Sequence, residues 1–294
     1  MDFLINLYTV LDTQLESAPE SYGLFHVACI LAVALLTFLV CKLFKDSSDR
    51  AVNVLTALVW VVILTLEIYK QLIYGFDLED GAFVWDYAWY AFPFQFCSSP
   101  LYILPIIAFT RNDKVRDACI AYMMTFSLFA GLAVFCYPGD VFTETAGICI
   151  QTMVHHGSQI LMGIFYAVRY RDRFGVKHFF SGAKVFVVMS FIAMVLNVVV
   201  YHAFLTFGID ETFNMFYISP YFDCTLPLLS TVYEMIPYTG FICVYFFGFI
   251  LCALIVYSIF TGLLREVRST CSIKPHERVY MSKKEKALVF ANKN

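Results

Sequence analysis

The sequence predicts an all-α membrane protein of about seven transmembrane helices, with its amino terminus outside and its carboxyl terminus cytoplasmic. Three observations carry that prediction. The 294 residues are 60% hydrophobic and only 15% charged, too little charge to cover soluble domains built from a chain of that length. Apolar runs of about 20 residues, enough to cross a roughly 30 Å hydrocarbon layer, recur along the chain. Nineteen of the 20 Lys and Arg residues fall in four clusters between or after those runs, and the remaining one, Lys70, lies inside a run.

The elements follow in order. Residues 1–20 lack a basic start and carry Asp12, Glu16 and Glu20, which predicts an external amphipathic segment rather than a cleaved leader. Residues 21–265 form the transmembrane domain, with spans at Gly23–Phe44, Val52–Tyr74, Pro93–Thr110, Val115–Cys136, Gly147–Val168, Ala183–Thr206 and Pro237–Leu263. The third is short and contains Pro93, Pro100 and Pro105, so it is expected to be kinked, broken or re-entrant. Lys42, Lys45 and Arg50 follow the first span; Arg111, Lys114 and Arg116 follow the third. Arg169, Arg171, Arg173, Lys177 and Lys184 follow the fifth, and Arg265 onward follows the seventh. The positive-inside rule makes these loops cytoplasmic, and an odd number of spans satisfies all of them. Of the opposite loops, Phe76–Phe92 is acidic and aromatic, as headgroup-level segments are, and Gly208–Ile236 is expected to contain short broken helices. Residues 266–294 read as a basic cytoplasmic tail, a topology determinant.

The net charge of −3 and the absence of Cys/His ligand spacing among the ten cysteines point to no cofactor, no metal and no nucleic-acid partner. The membrane is the plasma membrane if the chain is bacterial and an internal one if it is eukaryotic.

Ionisable groups within a span cost about 2.5–3.5 kcal/mol each, so each needs an explanation. Glu67 and Lys70 are three residues apart on one helical face, spaced either to neutralise one another or to present Lys70 to a phosphate or carboxylate. His155 and His156 sit mid-span in Gln151-Thr-Met-Val-His-His-Gly-Ser-Gln159. Neighbouring helical positions diverge by about 100°, so one imidazole is expected to face a cavity and the other to pack between helices. Cys97 lies among Gln95, Ser98 and Ser99 just before Pro100. Taken alone it reads as a packing residue, but its polar neighbours argue for more. Asn197 in the sixth span and Asn214 in the following loop complete the polar set. The predicted topology puts Cys97, Glu67, His156 and Asn197 at a similar depth, roughly 6–14 Å below the outer face. Four helices thus contribute to one expected cavity.

At these residues the chain resembles the YwaF-like integral membrane proteins, a bacterial family similar to the animal transmembrane protein 164 acyltransferases. The resemblance covers roughly residues 20–265 and rests on Glu67 with Lys70, Pro93 to Cys97, His156-Gly157, and Asn214-Met-Phe-Tyr-Ile-Ser-Pro220. Ser219 departs from the basic residue that family members often carry there. The resemblance implies a Cys nucleophile with a His, roles that fall on Cys97 and on His155 or His156, and membrane phospholipids as partners. In that chemistry Lys70 would hold a lipid phosphate, and Asn214 or Gln95 would steady an oxyanion. Two other readings remain open at this point: a transporter or channel using Glu67, Lys70 and the histidines, and a seven-span receptor.

Overall fold

The computed structural model describes residues 2–271, with side chains from Phe3 to Phe260. The chain divides into a compact unit, Met1–Thr261, and a second unit, Gly262–Asn294. The second is described over 262–271, which are helical; the remainder of the expected basic tail lies outside the described residues.

The first unit opens with α1 (Asp2–Leu11), then α2 (Leu24–Phe44) and α3 (Asp49–Ile73). Ser48 caps α3 by accepting from the Ala51 amide, the usual means of satisfying an orphan first-turn donor. A two-stranded antiparallel sheet, β1 (Phe76–Glu79) and β2 (Ala82–Trp85), follows. This hairpin departs from the all-α expectation. Its physical reason is Asp80-Gly81, both at positive φ (48° and 76°), the dipeptide and backbone twist that favour a two-residue β-turn. A short helix, α4 (Pro100–Phe109), comes next, then α5 (Asp113–Tyr122). Alpha5 is capped by the Asn112 side chain and runs through a π-helical turn, Met123–Ser127, into α6 (Leu128–Cys136). Helices α7 (Ala146–Tyr170), α8 (Val176–Phe207), α9 (Leu229–Met235) and α10 (Tyr238–Cys271) complete the fold.

Among the described residues five helical stretches are long and apolar enough to cross a membrane: α2, α3, Asp113–Cys136, α8 and the Tyr238–Phe260 part of α10. The chain is an integral, multi-pass membrane protein. Two of the seven expected spans differ from these five. The third is a half-length element, and the fifth, α7, is 25 residues long but carries glutamines and histidines at its middle. Seventeen of the 25 residues of α7 are buried, because α2, α3 and α6 pack around it. A helix with that many polar groups needs protein, not lipid, on most of its sides.

Close approach depends on small residues, as membrane helices commonly arrange. A Cβ on Gly131 of α6 would lie 2.8 Å from the His156 carbonyl and 2.9 Å from Gln159 Cβ, and one on Gly163 would lie 2.8 Å from Leu128 Cβ. The basic loops converge at one end of the bundle. There Arg169 donates to Lys45 O (2.9 Å) and Asp49 Oδ1 (2.8 Å), Arg173 meets Asp117 (2.7 Å), and Arg116 donates to Asn53 Oδ1 (2.6 Å). At the other end Leu15 N donates to Glu144 O (2.7 Å), Tyr69 to Leu11 O (2.8 Å) and Tyr22 to Cys136 O (2.6 Å). The hairpin joins that end through Tyr8, which donates to Phe76 O and packs edge-on against Phe83 at 5.4 Å.

Gly131→Ala is expected to destabilise the bundle by about 1–3 kcal/mol through overpacking, seen as a lower thermal-unfolding midpoint in detergent. Gly248→Ala, whose Cβ meets nothing within 4 Å, should leave the midpoint unchanged or raise it.

Candidate active site

The site begins with the prolines of the third segment. Phe96–Ser98 forms one 3-10 turn, and α4 starts at Pro100. The apolar stretch Phe96–Phe109 is about 21 Å long at 1.5 Å per residue, short of a roughly 30 Å hydrocarbon layer. Proline has no N–H, so each one leaves a carbonyl behind it without its helical donor. Pro100 withholds the 3-10 donor from Cys97 O, and that oxygen instead accepts from His155 Nε2 (3.0 Å) and Gln159 Nε2 (2.6 Å) of α7. Pro105 withholds the α-helical donor from Leu101 O, which accepts from the Trp60 indole of α3 (3.0 Å). Two orphaned carbonyls thereby dock the broken segment onto two neighbouring helices.

These bonds also settle the imidazole tautomers. A carbonyl can only accept, so His155 carries its proton on Nε2 and leaves Nδ1 bare. His156 Nδ1 donates to Thr152 O of its own helix (2.8 Å), leaving Nε2 bare. Both bare nitrogens are buried without a partner. The rings stand 5.8 Å apart at 66°, and only His155 touches residue 97. Cys97 itself is partly exposed. Among the described residues no hydrogen bond joins its sulfur to either imidazole.

Glu67 and Lys70 form an ion pair (2.8 Å) on α3. Glu67 Oε1 also accepts from Gln71 Nε2 (2.8 Å), and Oε2 from Gln151 Nε2 of α7 (3.5 Å). Gln71 is fixed in turn by Ala91 O (2.9 Å) and by the Tyr87 hydroxyl (2.5 Å). Burial, and then the Glu67 carboxylate, push the Tyr87 hydroxyl up to about 12, so it remains a donor at neutral pH. Glu67 is 4% exposed, so its charge is held almost wholly by these protein partners.

The amides expected at the site are engaged with backbone. Asn197 of α8 donates to Met215 O (3.0 Å) and accepts from Met215 N (2.7 Å). Gln95 donates to Asn214 O (3.1 Å) and accepts from Phe216 N (2.9 Å). Asn214 accepts from Ser219 N (2.8 Å) and donates to Asp223 O (3.0 Å). Together they pin a one-turn 3-10 segment, Met215–Tyr217, in which Phe216 and Tyr217 take left-handed φ values of 59° and 57°. Two such aromatic residues cost about 1–3 kcal/mol each, and the paired amides offset that cost. The structure thus joins Cys97 to His155 on one side and to Gln95 and the 214–217 turn on the other. Asn197 reaches the site only through that turn.

A family model matches residues 20–261, most of the compact unit. The chain belongs to the TMEM164 family. No curated protein and no solved structure matches it. The family match bears out the resemblance to the transmembrane protein 164 proteins over nearly the range expected from sequence. In this TMEM164-family chain, Gln71 and Trp60 stand outside the residues expected from sequence, and Gln159, expected only as part of a polar stripe, proves to bond the residue-97 carbonyl. The signal for Gln159 and Trp60 was available, since each proline leaves a predictable orphan carbonyl three or four residues upstream that must find a donor.

Asn197→Ala is expected to free the Met215 amide and carbonyl together. Hydrogen–deuterium exchange should accelerate at Met215 and Phe216 by roughly 5- to 100-fold, as for a buried pair left unsatisfied, with little change at Arg169–Asp49.

Proposed function

We propose that the protein is an integral membrane lipid acyltransferase that moves a fatty acyl chain between phospholipid and lysophospholipid through a Cys97 thioester, with His155 as base. The observation that supports it is the seat of Cys97: a partly exposed residue on a broken helix, its own carbonyl held by an imidazole whose other nitrogen is bare. That contact favours His155 over His156.

The thiol proton passes to His155 Nδ1, directly or through one water. The sulfur–Nδ1 bond forms once the ester is seated, as catalytic hydrogen bonds commonly complete only in the substrate complex. The imidazolium then keeps its Nε2–H on the Cys97 carbonyl, a stronger bond once the ring is charged. The thiolate attacks the ester carbonyl, the S–C bond forms, and the C–O bond breaks as the departing lysolipid oxygen takes the proton from His155. A second lysolipid hydroxyl repeats the sequence in reverse. The apolar surroundings exclude water and favour transfer over hydrolysis. Lys70 is 14% exposed and pairs only with Glu67 among the described residues, which leaves ammonium donors for a lipid phosphate. The enclosure of Glu67 by Lys70, Gln71 and Gln151 supports a fixed anchor for Lys70 more than a moving charge in a transport cycle.

Intact-mass analysis of purified protein incubated with phospholipid should show a hydroxylamine-labile, acyl-sized adduct that disappears in Cys97→Ala. An active wild type with no adduct under trapping, together with full transfer by Cys97→Ala, would sink the proposal. His155→Ala is expected to lower kcat by about 10²- to 10⁴-fold in initial-rate assays, whereas His156→Ala lowers it less than about tenfold. Lys70→Met should raise KM for the phospholipid and leave the rate of Cys97 alkylation within a small factor of wild type.

A further inference from the structure

We infer that Tyr217 is a catalytic residue that donates its hydroxyl to the oxyanion formed when Cys97 attacks an ester carbonyl. The inference rests on the acyltransferase reading and adds to it the group that holds the developing charge.

The case begins with the anchor that Tyr217 and Cys97 share. Gln95 lies two residues before Cys97 and holds both Asn214 O and Phe216 N, so the 214–217 turn and the thiol are fixed to one side chain. Phe216 packs against Phe94 and Phe96, the aromatic residues on either side of Gln95, at 5.9 and 5.7 Å. The left-handed backbone at Phe216 and Tyr217 separates their side chains. Phe216 goes fully inside, whereas Tyr217 is the one residue of 213–219 that is not buried. Cys97, two residues beyond the Gln95 that anchors the turn, is also partly exposed.

Several other donors around the Cys97 segment are committed. The amides of Gln95, Asn197 and Asn214 bond to backbone. Tyr122 donates to Ser99 Oγ (2.7 Å), Tyr102 to Pro93 O (2.6 Å) and Tyr238 to Ile218 O (2.7 Å). Among the described residues the Tyr217 hydroxyl has no protein partner. Burial first, and then the neighbouring Cys97, push it up to about 12, so it stays protonated and can donate throughout the neutral range.

The electron count is that of acyl transfer. As the S–C bond forms, the carbonyl π pair moves onto oxygen, and the Tyr217 O–H bonds to that oxygen without transferring its proton. When the pair returns, the C–O bond breaks and His155 supplies the proton to the leaving oxygen. The phenol contributes only while the oxyanion exists, so its loss should fall on kcat and spare substrate binding.

The test uses full-length protein in detergent with p-nitrophenyl octanoate as acyl donor, comparing wild type, Cys97→Ala and Tyr217→Phe. Burst release of p-nitrophenolate and the hydroxylamine-labile adduct are followed together, with N-ethylmaleimide alkylation of Cys97 and thermal unfolding as controls. A burst about 10²- to 10³-fold slower in Tyr217→Phe, with KM, alkylation rate and melting midpoint unchanged, is the expected result. A burst within threefold of wild type overturns the role of Tyr217 and leaves the acyl-enzyme intact. Slowing matched by a slower alkylation or a lower midpoint overturns it too, since the phenol then acts through packing. A wild type with no Cys97-dependent burst overturns the acyl-enzyme reading, and the Tyr217 role with it.

Discussion

Proline in a water-poor interior removes a donor and leaves an acceptor that something else must satisfy. Much of the arrangement around Cys97 follows from that constraint. The carbonyl behind Pro100 is answered by His155 and Gln159, and the carbonyl behind Pro105 by Trp60. A helix that had run unbroken would have satisfied both oxygens internally and left neither free to bond a neighbouring helix. Breaking it makes the backbone of residue 97 a binding partner for another helix. The same contact that docks the segment selects the tautomer of His155.

Once residue 97 is tied to α7, the rest of the packing serves α7. Its polar middle is tolerated because α2, α3 and α6 enclose it, and α6 comes close enough only where Gly131 has no Cβ. Gln151 extends the same helix to Glu67 on α3, so the ion pair and the imidazoles belong to one connected network. On the opposite side, Gln95 links the Cys97 segment to a turn that two aromatic residues would not adopt unaided. The site is therefore held by hydrogen bonds to main-chain atoms more than by side chains bonding one another. Such bonds place backbone in regions where water is not on hand to do so.

A good part of this was legible in the residues themselves. The apolar runs and the basic clusters define the long helices, and the loops bearing those clusters do converge through Arg169, Arg173 and Arg116. Pro93, Pro100 and Pro105 announce the broken third segment. The hairpin escaped because its strands are only four residues each, although Asp80-Gly81 is a strong turn signal. The fifth span, Gly147–Val168, is expected from its length, and the polar stripe at its middle, which must face protein or water, agrees with the burial of 17 residues of α7. Partners were the hardest to read. Asn197 and Met215 are 18 residues apart, Gln95 and Phe216 are 121 apart, and an amide in the sequence does not say whether it will meet a ligand or a peptide group. Tyr217 is one of 19 tyrosines, and nothing distinguishes it until the backbone turns left-handed beneath it.

Trp60 has a consequence beyond docking. Trp85 and Trp89 belong to the hairpin and the loop after it, leaving Trp60 as the one indole within a membrane helix. Its N–H rests on the carbonyl that Pro105 orphaned, and its ring lies edge-on to Phe109 at 6.1 Å. Undocking of the broken segment would change both the hydrogen bonding and the polarity around this chromophore. The protein thus carries an intrinsic optical gauge of the broken segment, its indole bonded to the carbonyl of Leu101, one turn beyond the thiol, and its ring set against Phe109 at the far end of the helix.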